Sequence, residues 1–561
     1  MDNSQIADSF SLLAKLMDIH GENSFKSKSY AITAFHIEKL EVQLSEIEQE
    51  KISTLKGIGD SSAKKIIEIL DTGELKALND ILQKTPKGIV EMLNIKGIGP
   101  KKISVIWKEM EIESIGELLY ACQENRLKLY KGFGEKTQNS VEENIEFYLR
   151  NQGILLFAEV EAVFFQIKSY LEKIFFPQKI AVTGAYARQE NTITELEFVV
   201  NEKIEVIKQK MKTANPPQII DESDDSILFK LTNGLKLRFY TADNNIIERL
   251  FFTAGSKTFT NAFIKKFPSI NFAKGNEASD KNIFEQANIQ YIEPYLRETE
   301  TIIDKAVSFS IPAAIQPTEI KGIIHSHSNW SDGSYTLEEM VKAAIEKGFE
   351  YLVISDHSKS AFYANGLHED RIKAQHQLID ELNVRFAPFK IFKSIESDIL
   401  YDGSLDYSNS ILSTFDLVIA SVHSILKMTE EKAMQRLITA IENPYTTILG
   451  HMTGRLLLSR KGYPVDHKVI IDACAANNVV IELNAHPRRL DIDWQYIEYA
   501  LEKNVLISID PDAHTIEGFN DIRYGVFAAQ KGMLTKEKNL SSFGLKEFEE
   551  FLTKRKQLKG I

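Results

Sequence analysis

The chain has 561 residues, enough for two to four domains, since a typical domain has about 100–200 residues. Its net charge of −12 excludes a protein that coats nucleic acid through bulk positive charge, but leaves local contacts through backbone amides open. No long apolar run predicts a membrane span, and Cys122 and Cys474, the two cysteines, cannot form a disulfide framework. The N-terminus lacks a signal-peptide pattern, so we predict a cytoplasmic protein.

Three regions of different pattern follow one another along the chain. Residues 1–150 show helical periodicity interrupted by glycine-centred turns, which predicts an all-α region. Residues 151–308 mix helical segments with strand-like runs at 179–183, 196–200 and 235–240, which predicts an α+β region. The looser stretch 310–318 is typical of a linker, and residues 319–561 alternate short apolar strands with helices.

Two close copies of a glycine pattern lie in the helical region, at 55–59 and 95–99, with a weaker third copy at 130–134. The glycines permit a tight turn, and the amides at the start of the next helix can bind a DNA phosphate. These segments resemble helix-hairpin-helix elements, which would bind DNA without reading its sequence; a plain turn between helices is the alternative. The residues expected to contact DNA are Gly57, Gly59, Gly97, Gly99, Lys101 and Lys102.

Seven strand candidates lie about 20–40 residues apart in the last region, as βα units require. Seven such units favour a parallel barrel over an open sheet, although the periodicity does not determine whether the barrel closes. The candidates are 322–325, 351–355, 392–395, 417–421, 446–450, 479–483 and 505–509.

Metal-binding residue types accumulate at the ends of these strands, and six of the twelve histidines in the chain fall there. One histidine at a strand end is more often a satisfied polar residue than a ligand, but six in one register favour a site. Imidazole and carboxylate groups suit zinc, manganese or iron, and clustered ions activate water and clamp a phosphate. The residues of these types at or just after the strand ends are His325, His327, Asp332, Asp356, His357, Glu396, His423, His451, Asp512 and His514.

The strings around these residues include His325-Ser-His327, Ser355-Asp356-His357-Ser358 and Asp512-Ala513-His514. The region resembles the PHP (polymerase and histidinol phosphatase) family, in the form found in bacterial family X DNA polymerases. The resemblance implies a distorted (βα)7 barrel with three divalent ions, Mn²⁺, Zn²⁺ or Fe²⁺.

The resemblance also implies how the ligands are shared. His325, His327, Glu396 and Asp512 would surround one ion, Glu396 would bridge to a second ion with His423 and His451, and Asp332, His357 and His514 would surround a third. Glu396, Asp512 and His357 are the expected catalytic residues. Lys359, Arg455 and Arg489 are candidate phosphate contacts, or else solvated loop charges.

The helical region, including the strings at 27–31 and 72–75, resembles the small domain of family X polymerases. In relatives with lyase activity, a lysine of this region forms a Schiff base with an abasic sugar. Lys65 falls at that position, and a solvated helix lysine is the alternative reading.

Residues 151–308 resemble the palm and thumb of the same polymerases, with departures at the nucleotidyl-transfer site. The chain keeps Gly184 but lacks the family's following serine and one arginine, and it has Glu195 and Glu197 where the family has Asp-x-Asp. Lys236 replaces the third carboxylate and could pair with either glutamate. Two Mg²⁺ ions about 3.5–4 Å apart tolerate little misplacement, so we predict lost or nearly lost polymerase activity, with Mg²⁺ bound only if activity survives.

The leading hypothesis is therefore a metal-dependent phosphoesterase, a DNA 3′-5′ exonuclease or 3′-end processing enzyme, acting on gapped or 3′-ended DNA without sequence specificity. An active gap-filling polymerase with an editing PHP domain, a non-enzymatic DNA-binding scaffold and a small-molecule phosphatase are the alternatives. The sequence leaves the metal, the end preference and the oligomeric state open.

Overall fold

The computed structural model describes residues 2–40, 42–150, 153–212, 216–232, 234–242, 245–272 and 279–561. The chain divides into two compact units, one of Met1–Gln123 with Leu127–Glu146 and the other of Glu124–Arg126 with Phe147–Ile561. Within the described ranges, none of the helices has the combination of length and apolar character that crossing a membrane requires.

The first unit is helical, as the periodicity predicts. Its first helix begins with a capping box at Asp2, and Asn23 caps the second helix through the amides of Phe25 and Lys26. The helices are Asn3–His20, Ser24–Glu38, Gln49–Ile52, Asp60–Thr72, Lys76–Leu82, Lys87–Met92, Pro100–Lys108, Ile115–Gln123 and Glu135–Arg150, the last of which runs into the second unit.

The three glycine patterns form the same turn. Gly57, Gly97 and Gly132 have φ values of 78°, 95° and 94°, in the left-handed region that favours glycine. Two residues later, Gly59 and Gly99 form the N-caps of the next helices, and Gly134 directly precedes Glu135–Arg150. The third copy, weaker in sequence, is thus built like the other two.

The second unit begins with the α+β region, built around one five-stranded sheet. Its strands, in spatial order, are Ile180–Thr183, Leu196–Val200, Lys236–Thr241, Ser226–Lys230 and Gln218–Glu222, and only the pair of Leu196–Val200 with Lys236–Thr241 is parallel. A short antiparallel pair joins Leu155–Leu156 to Thr192–Ile193. The helices are Phe157–Phe175, Gly184–Ala187, Ile204–Lys210, Ile246–Ala254, Lys257–Lys266, Lys281–Gln286 and Thr301–Val307.

All seven predicted strands of the last region are present, and neighbours in sequence pair in parallel. The strands are Gly322–Ile323, Tyr351–Ile354, Lys390–Asp398, Leu417–Ser421, Thr446–Leu449, Val480–Asn484 and Ile507–Asp510. The surrounding helices are Leu337–Glu346, Glu369–Phe386, Asn409–Leu412, Glu430–Glu442, His467–Asn477, Ile497–Glu502, Ile522–Lys531 and Leu545–Lys559.

The sheet curls into a nearly closed barrel. Just beyond the first and last strands, Ser326 pairs with Ala513 in a parallel bridge, and the amide of His327 donates to the carbonyl of Ala513 over 2.9 Å. This bridge joins the two edges of the sheet, which the periodicity alone did not predict. It lies at the carboxyl ends of the strands, beside the predicted ligands.

The predicted linker packs against the barrel. Ile315 is fully buried, its amide donates to the carbonyl of Leu534 over 3.1 Å, and its carbonyl accepts from Nε2 of Gln530 over 2.8 Å. The α+β region and the barrel accordingly share one hydrophobic core.

A buried arginine ties two loops at the carboxyl ends of the strands. The guanidinium of Arg436 is fully buried and donates to the carbonyls of Ile399, Leu400 and Ser424, at 2.5, 2.8 and 3.0 Å. These carbonyls would lose a charged donor if the guanidinium were removed, and a buried acceptor without a partner is costly.

We therefore expect Arg436→Met to lower the free energy of unfolding by about 2–4 kcal/mol in urea denaturation of the full chain. Arg385→Met is the matched control, because Arg385 is half exposed and pairs with Glu338 at the surface. That pair should contribute less than about 1 kcal/mol. Equal losses for the two variants would contradict the role given to Arg436.

Candidate metal centre

The barrel brings all nine predicted ligands together at the carboxyl ends of its strands. Eight of them are buried, and His423 keeps only 10% of its side chain exposed. They come from loops and strand ends that are far apart in sequence but adjacent in the barrel. They are His325, His327, Asp332, His357, Glu396, His423, His451, Asp512 and His514.

His325, His327, Glu396 and Asp512 form one group whose ligand atoms lie within 4.8 Å of one another. Nε2 of His325 lies 3.3 Å from Glu396 and 3.4 Å from Asp512. Nε2 of His327 lies 3.1 Å from Asp512 and 3.6 Å from Glu396. This group contains the four residues predicted to surround the first ion.

Asp332 is the centre of a second group. Its carboxylate lies 3.4 Å from Nε2 of His357 and 3.4 Å from Nε2 of His514. His327 joins this group through Nδ1, 3.9 Å from Asp332, so this imidazole faces two groups at once.

Glu396 is the centre of a third group and lies between the other two. Its Oε1 is 3.2 Å from Nε2 of His423 and 3.0 Å from Nε2 of His451. Its Oε2 is 3.0 Å from Nδ1 of His357. These distances place Glu396 next to His423 and His451, the residues predicted for the second ion, and also next to His357, which was predicted for the third.

The donor set fits divalent metal ions. Two ligand atoms about 2.0–2.2 Å from a tetrahedral ion are about 3.4 Å apart, close to the nitrogen–oxygen separations of 3.0–3.6 Å found here. Among the described residues, seven buried atoms of the cluster lack a hydrogen-bond partner. These are Nε2 of His325 and His514, Nδ1 of His327, His357 and His451, Oδ2 of Asp332 and Oε2 of Glu396.

The electrostatics keep the carboxylates charged. Burial would raise the pKa of Glu396, but His423, His325 and His357 keep it well below its usual value. Burial lowers the pKa of His327 to about 4, with a contribution from His514 and His357, so this imidazole is neutral at pH 7 and can act as a ligand.

The backbone is strained at two of the predicted ligands. His325 has φ 61° and Asp512 has φ 52°, in the left-handed region that non-glycine residues rarely adopt. Such strain persists where the surrounding structure determines the conformation, and it is found most often at functional sites.

Two acidic residues that sequence reasoning missed orient the imidazoles. Oε2 of Glu482 lies 2.5 Å from Nδ1 of His325, and its Oε1 accepts from the amide of His451 over 3.1 Å. Oδ1 of Asp398 lies 2.5 Å from Nδ1 of His423. Carboxylates in this position fix the ring and the tautomer of a ligating histidine. The available signal was the position of Asp398 at the end of the third strand, two residues after Glu396, and the position of Glu482 among the apolar residues of the sixth strand.

Asp356, next to His357, shapes the loop that carries His327 and Asp332. Its carboxylate accepts from the amide and hydroxyl of Ser328, at 2.8 and 2.7 Å, and from the hydroxyl of Ser331 at 2.5 Å. This residue was visible in the sequence string but received no role there.

The three candidate phosphate contacts lie in different surroundings. Arg489 is buried, and its Nε lies 3.8 Å from Asp512 at the edge of the cluster. Arg455 pairs with Asp493 and donates to the carbonyls of Arg489 and Leu490, so it braces the loop that carries Arg489. Nζ of Lys359 lies 2.7 Å from Glu369.

Both glutamates of the predicted palm site have hydrogen-bond partners close by. Glu197 accepts from the amide of Ala185 over 2.8 Å and from the hydroxyl of Tyr240 over 2.9 Å, and burial raises its pKa. A Cβ atom on Gly184 would lie 1.6 Å from the carboxylate of Glu197, so the glutamate reaches directly onto this turn.

Glu195, the other glutamate of the palm, pairs with Arg238. Its Oε1 accepts from Nε of Arg238 over 2.9 Å. The sequence suggested Lys236 as a partner for either glutamate, whereas Arg238 contacts Glu195 and the side chain of Lys236 lies against Gly153.

The lysines of the helical unit differ in exposure. Lys101 is exposed, whereas Nζ of Lys102 lies 3.4 Å from the carbonyl of Gly97 and 5.6 Å from the centre of the Phe133 ring. Lys65 is partly buried, with Nζ 6.0 Å from the centre of the Tyr30 ring.

Three family models match the chain. A helix-hairpin-helix domain matches residues 1–75, and a SAM-like helix-hairpin-helix tandem matches residues 89–140, which contain the second and third hairpins. A PHP domain matches residues 324–486, which contain seven of the nine clustered side chains.

Curated relatives extend these matches. The chain is similar to the DNA polymerase/3′-5′ exonuclease PolX of Bacillus subtilis, with 31% identity over 96% of this chain and 97% of that protein. Two probable phosphatases are similar over shorter spans. That of Acetivibrio thermocellus is 29% identical over 29% of this chain and 64% of its own length. That of Caldicellulosiruptor saccharolyticus is 31% identical over 34% of this chain and 78% of its own length. Because the first similarity covers nearly the whole of both chains, this chain belongs to the PolX family of bacterial family X DNA polymerases with a PHP domain.

Proposed function

We propose that this protein is a metal-dependent DNA phosphoesterase that acts as a 3′-5′ exonuclease or 3′-end processing enzyme. Residues 319–561 would carry the chemistry, residues 1–150 would bind DNA, and residues 151–308 would be a palm and thumb without polymerase activity. The observation that carries the proposal is the buried cluster of six imidazoles and three carboxylates around Glu396. The Bacillus subtilis relative is named a DNA polymerase/3′-5′ exonuclease, which supports the choice of DNA as substrate.

In this proposal His325, His327, Glu396 and Asp512 hold one ion, Glu396, His423 and His451 a second, and Asp332, His357 and His514 a third. Bound Mn²⁺, Zn²⁺ or Fe²⁺ ions would polarise the phosphoester and make water a stronger nucleophile. Glu396 and Asp512 bring the negative charge that gathers cations at the reacting phosphate, and His357 joins two groups of ligands. Arg489, at the edge of the cluster, is the proposed contact for a phosphate oxygen.

The hairpins are the proposed DNA-binding elements. The first amides of a helix have no partner within the helix, and the helix dipole favours an anion there, so Gly57, Gly59, Gly97 and Gly99 would present amides to phosphates. Lys101 would add a charge, and Lys102 would mainly stabilise the second turn. These contacts bind without reading bases, which suits an enzyme for gapped or 3′-ended DNA. Lys65 is a secondary candidate for abasic-sugar chemistry.

The proposed loss of polymerase activity rests on the contacts of Glu195 and Glu197. Each already has a partner within the palm, and Glu197 lies on the turn at Gly184 where the family places the triphosphate. Mg²⁺ would bind there only if these contacts opened. An active gap-filling polymerase is the second candidate, because the name of the Bacillus subtilis relative includes that activity.

A phosphatase for small molecules is a further candidate, because the shorter relatives are named probable phosphatases. A barrel alone does not determine its substrate. The hairpins upstream favour DNA over this candidate.

The first prediction from the proposed function concerns the metal centre. Glu396→Gln keeps the side-chain size but removes the charge shared by two groups, so we expect Mn²⁺-dependent shortening of a 5′-labelled DNA strand to fall about 100-fold or more. Elemental analysis should show fewer bound ions per chain. His467→Ala, a histidine stacked on Tyr496 outside the cluster, should retain both activity and metal. Unchanged shortening by Glu396→Gln would refute the proposed site.

The second prediction concerns the palm. On 5′-labelled gapped DNA with dNTPs and either Mg²⁺ or Mn²⁺, we expect the wild-type protein to give no lengthened product, while Mn²⁺ supports shortening. Glu197→Ala should not change the pattern of products. Lengthening by the wild type that disappears in Glu197→Ala would establish the polymerase candidate instead.

The third prediction concerns the hairpins. Lys101→Ala should weaken DNA binding equally for unrelated sequences, because the contact is to phosphate. The slope of log affinity against log salt should fall by about 0.7–0.9, as expected for one lost phosphate contact. Lys76→Ala, an exposed lysine that follows no hairpin, is the matched control. If both variants lower the slope equally, the effect is one of net charge and not of the hairpin.

A further inference from the structure

A three-residue segment from the N-terminal part of the sequence lies on the barrel. This segment, Glu124–Arg126, belongs to the second unit. The side-chain amide of Asn125 donates to the hydroxyl of Ser334 over 2.7 Å and to the carbonyl of Asp332 over 3.4 Å. Asn125 has φ 55°, in the left-handed region, which asparagine adopts more readily than most residues. The segment is therefore fixed to the loop that carries Asp332, one of the nine predicted ligands.

The first residue of this segment, Glu124, reaches the metal cluster. It has only 7% of its surface exposed. A carboxylate oxygen of Glu124, a carboxylate oxygen of Asp512 and a ring nitrogen of His514 all lie within 4.8 Å of one another. Asp512 is predicted for the first ion and His514 for the third, so Glu124 lies where these two sets of ligands meet. The sequence patterns predicted ligands from the barrel region alone.

The charges around Glu124 favour a cation beside it. The buried carboxylates of Glu124 and Asp512 carry the same charge and repel each other unless a cation lies close to both. Nη1 of Arg126 is 3.8 Å from Glu124, which is too far for a hydrogen bond. A divalent ion would bind both carboxylates together with the imidazole of His514, and these donor types suit Mn²⁺, Zn²⁺ or Fe²⁺.

The balance of charge over the whole metal centre supports the same role. Three divalent ions bring six positive charges, whereas the nine predicted ligands include three carboxylates, those of Asp332, Glu396 and Asp512. Uncompensated charge is costly in a buried site. A fourth carboxylate, that of Glu124, would bring the occupied centre closer to neutrality.

We propose that Glu124 is a tenth ligand of the metal centre and binds a divalent ion together with Asp512 and His514. The proposal rests on the proposed function, which places the ions at this cluster. The ligand set contributed by residues 319–561 is then incomplete, and full metal binding needs Glu124–Arg126 in its place on the barrel.

The test measures how tightly the full-length protein holds its ions. Protein loaded with Mn²⁺ is titrated with a chelator, and the ions that remain on each chain are counted by elemental analysis. Glu124→Gln keeps the size of the side chain but removes its negative charge. We expect this variant to lose one ion per chain at a free Mn²⁺ concentration about 100-fold higher than the wild type, because loss of a group that only orients a ligand already costs about 10–100-fold. Glu109→Gln is the matched control, because Glu109 is an exposed glutamate of the same part of the sequence, and it should hold its ions as the wild type does.

A second variant, Glu124→Cys, tests the contact directly. A thiolate bound to Cd²⁺ absorbs ultraviolet light through charge transfer, so under reducing conditions this variant with Cd²⁺ should show a band that the wild type lacks. Cys122 and Cys474 are buried and are present in both proteins. Wild-type retention of Mn²⁺ by Glu124→Gln, or absence of the band from Glu124→Cys, overturns the tenth ligand while the metal centre stands. If the wild type holds no Mn²⁺, the proposed metal centre itself is wrong.

Discussion

The rest of the barrel site depends on the contacts between the carboxylate of Glu396 and the imidazoles around it. This carboxylate is buried at the centre of the barrel mouth, and imidazole nitrogens of His325, His357, His423 and His451 lie 3.0–3.3 Å from its two oxygens. A buried carboxylate without a cation nearby would be strongly destabilising. The strand register brings five further strand ends around it, so the imidazoles that surround Glu396 come from distant parts of the chain.

The same cluster couples metal binding to protons. Burial lowers the pKa of His423, but the carboxylates of Glu396 and Asp398 raise it to about 9. Burial also lowers the pKa of His514, and the carboxylate of Asp332 raises it to about 9. Without ions, these imidazoles carry the protons that balance the buried carboxylates. A metal ion must displace such protons, so its affinity rises as pH rises through this range. Metal binding at this buried cluster would therefore release protons.

Much of this arrangement could be predicted from the sequence, because short-range patterns determined it. Seven apolar strands at βα spacing predicted the barrel, and the histidines at their ends predicted where the cluster lies, because each of these patterns is contained within a few residues. Closure through Ser326 and Ala513, the orienting role of Glu482 and the pairing of Arg238 with Glu195 could not be predicted. Each joins residues 43 to 187 positions apart in sequence, and no local pattern fixes which side chains meet across such distances.

The predicted palm and the barrel differ in how their polar groups are paired. In the predicted palm, Glu197 accepts from the amide of Ala185, and Nε of Arg188 lies 3.2 Å from Glu298. Lys531, a fully buried lysine of a barrel helix, completes the latter cluster by donating to Glu298 over 2.9 Å. These ion pairs link the α+β region to the barrel. In the barrel cluster, seven buried atoms of the described residues have no hydrogen-bond partner, which suits the proposed role of this cluster in binding metal ions.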